Sequence, residues 1–376
     1  MMPDKQEASI AAPPALDESS PGAKPGARLT VIIPVHNGAE ELGPCLEALI
    51  GSDTRPDQVI VVDDASTDGS GEVAQRHGVR NIRLSSPPHG PAFARNRGAE
   101  VAEGDILFFT DCDVRVHPDT LRLALETLRG DAGLDACFGS YDDAPAARGL
   151  VSQYKNLVHH YVHQHAAENA GTFWTGCGAI RKTAFHEAGG FGEEHKKPSI
   201  EDVELGIRLR RQGKRIRLVK AMQATHLKRW TFRKLLRSDI LQRAVPWSRL
   251  ILAERDAPKA LNFITSARWS AAAVLLFVLT GIAGFFIPRF FLGTAVMASV
   301  LLLLNRDLYR FFRRKRGWSF LLGAIPLHWF YFFYSAMTFG TVAALSIPIG
   351  ILRRVMRGER RNLAGVAKSS EANRGG

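Results

Sequence analysis

The chain has 376 residues, 45% of them hydrophobic, and its 49 Lys and Arg against 37 Asp and Glu give a formal net charge of +12. That length exceeds a single core of about 250 residues, so it allows one large domain and something further. Its four cysteines, Cys45, Cys112, Cys137 and Cys177, lack metal-ligand spacing and argue against a disulfide scaffold. Much of the basic excess lies beside apolar runs, which points to a membrane surface rather than nucleic acid.

Residues 1–27, rich in Ala, Pro, Ser and Gly without periodicity, are expected to form a disordered leader. They contain no apolar run of the signal-peptide kind, and with the cysteine usage this favours a reducing, cytoplasmic catalytic region. Structure should begin with a strand at Leu29–Val35 and a helix through Leu42, Leu46 and Leu49. A second strand, Val59–Val62, ends on Asp63 and Asp64 and is followed by a turn-forming segment up to Ser70. A third strand around Val79–Leu84 and a helix from about Pro91 to Val101 precede the apolar run Ile106–Phe109, which ends on Asp111-Cys112-Asp113. Strands alternating with helices at this spacing predict an α/β domain with a doubly wound, mostly parallel sheet, whose ligands bind beyond the carboxyl ends of the strands.

Each strand end offers chemistry. Asp111 and Asp113 present oxygen donors of the kind a hard divalent cation takes when it holds a diphosphate; the alternative is an acidic turn capping a helix near His117–Asp119. Asp63 and Asp64 can accept hydrogen bonds from a base imide or ribose hydroxyls, or form the turn and cap the next helix, and the two roles are compatible. Arg95 and Arg97 share one helix and suit phosphate through the planar guanidinium, the alternative being a solvated basic face.

Further on, Leu134–Gly139 reads as a strand and Gly149–Glu168 as a helix bearing His159, His160, His163 and His165. Zinc is disfavoured there, because no Cys or acidic ligand stands at a supporting spacing. Gly176 and Gly178, around Cys177, would let backbone approach a ligand or would mark a kinked strand. Ser199 with Asp202 reads as a capping box opening an amphipathic helix, while a carboxylate at that position can also act as general base. Lys214–Val219 should be a short strand leading out through Ala224-Thr225-His226.

The segments Val31–Asn37, Val61–Asp68, Ala94–Gly98 and Asp111–Asp113, in that order, resemble the family 2 glycosyltransferases, an inverting family with the GT-A nucleotide-sugar fold. The resemblance extends from about Leu29 to His226. It implies transfer of a sugar from a nucleoside diphosphate sugar, with Pro34, Asn37, Asp63, Asp64, Arg95 and Asp111 around the nucleotide. It also implies a divalent metal, Mn²⁺ or Mg²⁺, on Asp111, Asp113 and His226. Donor sugar and acceptor would meet near Gly176, Cys177 and Gly178, and the Glu201-Asp202 pair would be catalytic, with Asp202 as the base.

From Leu227 onward cationic and apolar residues interleave, as expected of amphipathic helices lying on anionic headgroups over 227–268. Processive synthases of the family carry Gln-x-x-Arg-Trp near here; Gln242-Arg243-Ala244-Val245-Pro246-Trp247 has different spacing, which speaks against polymer synthesis. Apolar runs at about Ser270–Ile287, Phe290–Leu304 and Phe320–Ile351 predict membrane helices over 269–353, with two to four crossings and a hairpin turning near Gly340 as one option. The intervening stretch Arg306–Arg316 is expected to be a cytoplasmic loop, and 354–376 a basic cytoplasmic tail. The expected molecule is a multi-pass protein of the cell's inner membrane with a GT-A domain at 28–226 in the cytoplasm. Its acceptor would be a hydroxyl of a lipid or lipid-linked saccharide. A polyprenyl-phosphate acceptor, processive synthesis and a catalytically silent scaffold are the alternatives.

Overall fold

A computed structural model describes residues 27–253 and 265–372, apart from the side chains of 265 and 347–372. The expected leader and the end of the basic tail fall outside these residues. The first part builds β1 (Leu29–Val35), α1 (Ala39–Ile50), β2 (Gln58–Asp63), α2 (Ser70–Arg76), β3 (Arg80–Arg83), α3 (Pro91–Glu100) and β4 (Ile106–Thr110). These strands lie in the order β3-β2-β1-β4, all parallel, with Val35 opposite Asp63 and Ile32 opposite Phe109. The registers bring the chain reversals after β1, β2 and β4 to one edge of the sheet. Every residue of β1 and β4 is buried, as near-continuous apolar strands covered on both faces must be.

The second part is mixed. β5 (Val114–Val116), α4 (Thr120–Gly130), β6 (Ala136–Tyr141), α5 (Leu150–His165), β7 (Cys177–Arg181), α6 (Lys182–Glu187), α7 (Glu201–Arg211) and β8 (Ile216–His226) extend the sheet to eight strands, β3-β2-β1-β4-β7-β6-β8-β5. β7 runs antiparallel to both β4 and β6, and β5 antiparallel to β8. The expected α/β architecture holds, with the parallel pairings concentrated where strand and helix alternate regularly. Two separate apolar clusters cover the faces, one through Leu42, Leu46, Leu121 and Leu128, the other through Phe109, Phe138, Phe173 and Phe185. Gly178 is required within β7: a Cβ there would run into the Trp174 carbonyl and the Phe173 ring.

A helical region follows: α8 (Phe232–Arg237), a π-helical turn (Ser238–Ala244), α9 (Val245–Ala253), α10 (Thr265–Phe286), α11 (Phe290–Leu304) and α12 (Arg306–Ala372). α10 and α11 form an antiparallel hairpin around Pro288-Arg289, as expected. Among the described residues two helices are long and apolar enough to cross a membrane, Ser266–Phe286 and Arg306–Ser346, and most of each is not buried in the protein.

Three expectations are corrected. α12 runs through Gly340 without interruption, so no hairpin forms there; a lone glycine lowers helix propensity by only about 1 kcal/mol, and no other turn former accompanies it. Its break lies instead at Gly317 (φ 81°, ψ −174°), a conformation open to glycine. Arg306–Arg316 is a helix rather than a loop, because Leu308, Tyr309, Phe311 and Phe312 form one apolar face that packs on Tyr154 and Leu157 of α5. The capping box at Ser199 is absent: Ser199 Oγ donates to the Gln242 carbonyl, 3.1 Å away, and Ile200 occupies the cap.

Candidate active site

The site assembles from the ends of β4 and β8 and the amino end of α7. Pairing of β5 with β8 sets Val114 opposite His226, which brings His226 beside Asp113, with Nε2 and Oδ2 3.9 Å apart. Across the site, Arg95 of α3 is 3% exposed and holds two carboxylates at once. Its Nη2 donates to Asp111 Oδ1 at 2.6 Å and its Nη1 to Glu201 Oε1 at 2.9 Å. One guanidinium therefore ties the end of β4 to the start of α7. Removing one partner of such a buried pair costs about 3–5 kcal/mol, because a charge is then left uncompensated.

Asp202 stands next to Glu201 on α7. Its Oδ2 accepts from Thr175 N and Oγ1 at 3.3 and 3.4 Å, and its Oδ1 accepts from Val203 N at 2.8 Å. Burial, helped by the neighbouring Glu201 carboxylate, pushes its pKa up to about 6. Glu201 differs: both its oxygens are engaged, one by Arg95 and the other by Ser199 N at 2.8 Å. Within the pair, Asp202 is the group with a base's environment and Glu201 serves to position Arg95.

The other carboxylates are biased in opposite directions. Burial raises Asp111 above the ordinary carboxylate range, with Arg95 opposing. Burial acts the same way on Asp113, but Lys228 and His226 outweigh it and hold the carboxyl below that range. Burial also lowers His226 to about 4, so its imidazole is neutral near pH 7 and stacked on Tyr141 with ring centroids 4.4 Å apart. Two carboxylates and a neutral imidazole are donor types that a divalent cation takes, although the ligand atoms of Asp111, Asp113 and His226 are not gathered within 4.8 Å of one another. The position already attracts positive charge, since Lys228 Nζ lies 3.1 Å from Asp113 Oδ2.

The other predicted residues have these partners within the protein. Arg95 pairs with Asp111 and Glu201 through its two Nη atoms, while its Nε is buried without a hydrogen-bond partner. Asp63 is fully buried, accepting from Ser66 N at 2.8 Å and Arg83 Nη1 at 3.2 Å. Asp64 accepts from His89 N and Gly90 N at 2.9 and 2.7 Å and so anchors the loop before α3. Both residues thus take part in the turn at the end of β2. Asn37, with φ 52°, bridges the β1 and β2 loops by accepting from Thr67 N at 2.8 Å. Pro34 is a buried strand residue opposite Val62. Gly176, Cys177 and Gly178 run alongside the end of β4, with Thr110 Oγ1 donating to the Gly176 carbonyl at 3.1 Å and Thr110 opposite Cys177.

Of the α5 histidines, His160 and His163 set their Nδ1 atoms 2.7 and 3.1 Å from the carbonyl oxygens of Tyr141 and Gly139. His159 instead joins Tyr141 and Trp174 in an aromatic cluster behind His226, with centroids 4.7 Å from each. Sequence reasoning missed Lys228, which reads as one of many cations approaching a membrane. Its one signal is its place two residues beyond His226.

Residues 30–189 match the family model described as Glycosyl transferase family 2. Among similar proteins, the uncharacterized glycosyltransferase YibD of Escherichia coli (strain K12) is 36% identical over 111 residues, 29% of this chain and 32% of that one. Glycosyltransferase AglE of Haloferax volcanii is 31% identical over 170 residues, 39% of this chain and 55% of that one. The chain thus spans about a third to a half of the length of these curated relatives. A solved mannosyltransferase, PcManGT of Pyrobaculum calidifontis in complex with GDP-Man and Mn²⁺, is 20% identical, with 75% of this chain and 87% of that one covered at a TM-score of 0.48.

Proposed function

Starting from a family 2 glycosyltransferase domain at residues 30–189, we propose that the chain is a membrane-anchored inverting transferase. It moves a sugar from a nucleoside diphosphate sugar to a hydroxyl of a lipid or lipid-linked saccharide. The observation that carries this reading is the Arg95 clamp, which fixes Asp111 and Glu201 on opposite sides of one guanidinium and so sets Asp202 at a constant place relative to Asp111. Asp111, Asp113 and His226 are the residues that would hold a divalent metal, whose charge neutralises a departing diphosphate. Asp202, with its pKa near 6, takes the proton from the attacking hydroxyl. Arg95 fixes Asp111 and opposes the effect of burial on it, and Lys228 favours the ionised form of Asp113. A single displacement on the face opposite the leaving group inverts the anomeric carbon.

A base with this environment favours a hydroxyl acceptor, since a phosphate with its second pKa near 6 is largely ionised already. The outward-facing apolar surfaces of α10 to α12 favour a membrane-borne acceptor, and the reading places the catalytic domain on the cytoplasmic side of the inner membrane. The acceptor class is tested with wild type and Asp202→Asn on a lipid hydroxyl and on polyprenyl phosphate. Transfer to the hydroxyl that vanishes in Asp202→Asn is the expected result. Loading of polyprenyl phosphate at equal rates by both enzymes would overturn the hydroxyl assignment.

A further inference from the structure

A second cleft, of about 530 Å³, lies away from the candidate active site, where α5 meets the part of α12 before Gly317. Tyr161, His165, Asp307, Arg310, Arg313 and Arg314 line it. Three guanidinium groups therefore face one carboxylate, and that carboxylate is already taken by Arg310 Nη1 at 3.1 Å. The wall is built rather than incidental. Leu308, Tyr309, Phe311 and Phe312 lock this helix onto α5, so the alternate face must carry its arginines into the cleft and solvent. Tyr161 and His165 stack with centroids 4.0 Å apart and form the floor.

The neighbouring cations are spent differently. Lys315 pairs with Asp143, and Arg316 Nε donates to Gln153 Oε1 at 2.6 Å, both anchoring the helix to the catalytic domain. Arg313 and Arg314 make no ion pair among the described residues; Arg313 lies over the Trp318 ring, 5.0 Å from its centroid. Just past Gly317, Trp318 and Leu322 are 62% and 66% exposed on the apolar helix. A tryptophan and an aliphatic residue directed outward beside an arginine cluster mark the depth of a headgroup boundary.

We propose that this cleft seats the phosphate of an anionic phospholipid, with the acyl chains lying along the exposed apolar face of α12 beyond Gly317. Two planar guanidinium groups match phosphate oxygens in a way that a diffuse surface charge does not. A lipid held there would fix the height of the catalytic domain over the bilayer, since α5 carries both the cleft and the histidines packed behind the site. The inference rests on the membrane reading given above.

The test uses the full chain in nanodiscs of phosphatidylcholine with and without phosphatidylglycerol, with retained phosphatidylglycerol counted by native mass spectrometry and its affinity titrated in detergent. Arg313→Gln/Arg314→Gln should weaken phosphatidylglycerol binding by about tenfold to thirtyfold, the consequence of removing two charges near a lipid phosphate. Arg76→Gln/Arg80→Gln removes two exposed cations of the catalytic domain outside the cleft and should leave that affinity nearly unchanged. Equal losses from both pairs would replace the cleft by general surface attraction. Full displacement by inorganic phosphate at the same concentration would identify a free-phosphate site and overturn the lipid assignment. Incorporation into the discs without preference for phosphatidylglycerol overturns the cleft alone, whereas a chain that never enters a bilayer overturns the membrane reading and the lipid assignment together.

Discussion

Around the ends of β4 and β8 the chain buries charge, whereas in α10 to α12 it turns apolar side chains outward. Arg95 is 3% exposed and paired with two carboxylates, while Phe285 is 84% and Leu292 73% exposed. Each arrangement would be costly in the other's surroundings. An unpaired guanidinium in the sheet would lose its hydration, and a bare apolar hairpin in water would pay the full hydrophobic penalty. Under the proposed membrane anchoring, the contrast corresponds to two solvents for one chain: a preorganised polar interior on one side and hydrocarbon on the other, joined by α5 and the first turns of α12.

The largest effect that sharpens this contrast lies on its polar side. Asp202→Asn should lower kcat by about 10²- to 10⁴-fold, as expected for loss of a general base, with sugar-nucleotide affinity nearly unchanged in a titration. Wild-type turnover by this variant would break the account of the site. Next in size, Glu201→Ala leaves Arg95 half-paired and should destabilise the catalytic domain by about 3–5 kcal/mol, measured by chemical denaturation in detergent. On the apolar side, Leu279, 62% exposed in the middle of α10, is the probe. Leu279→Lys should cost about 2.5–3.5 kcal/mol of insertion if that face meets lipid, seen as loss from the carbonate-resistant membrane fraction. An effect under about 0.5 kcal/mol, the size of an ordinary surface substitution, would mean that the face meets water.

The smallest effect is a shift in pH dependence. Asp202 must be ionised to accept a proton, so kcat/KM should rise with pH through about 6 and be lost below it. Glu201→Gln removes a neighbouring negative charge that helps hold this pKa up, so the acid limb should move to lower pH. A limb that stays in place would assign it to another group.

The apolar runs ending on Asp63-Asp64 and Asp111-Cys112-Asp113 made the parallel half of the sheet legible, because a buried strand leaves a continuous signature and a strand end leaves a polar one. Strand direction in the second half was not legible: β7 carries the same kind of apolar run but pairs antiparallel to β4. The carboxylates of the site could be read from their residue types. Their partners could not, since Arg95 looks equally suited to a phosphate and to Asp111 with Glu201, and only burial decides. Lys228 was hidden among cations of the membrane approach, and its role follows from the β5–β8 pairing, a contact between residues more than a hundred positions apart. Arg306–Arg316 reads as a loop in the sequence because its charge masks the apolar face that packs on α5. At Gly340 one permissive residue suggested a turn that its helical neighbours overrule.

The most direct measurement is nucleoside diphosphate release from a panel of sugar nucleotides with Mn²⁺ or Mg²⁺ and a membrane lipid extract, comparing wild type with Asp113→Asn. The account predicts release by wild type with at least one donor, dependent on metal and acceptor and lost in Asp113→Asn. Release no greater than that of Asp113→Asn with every donor would contradict it.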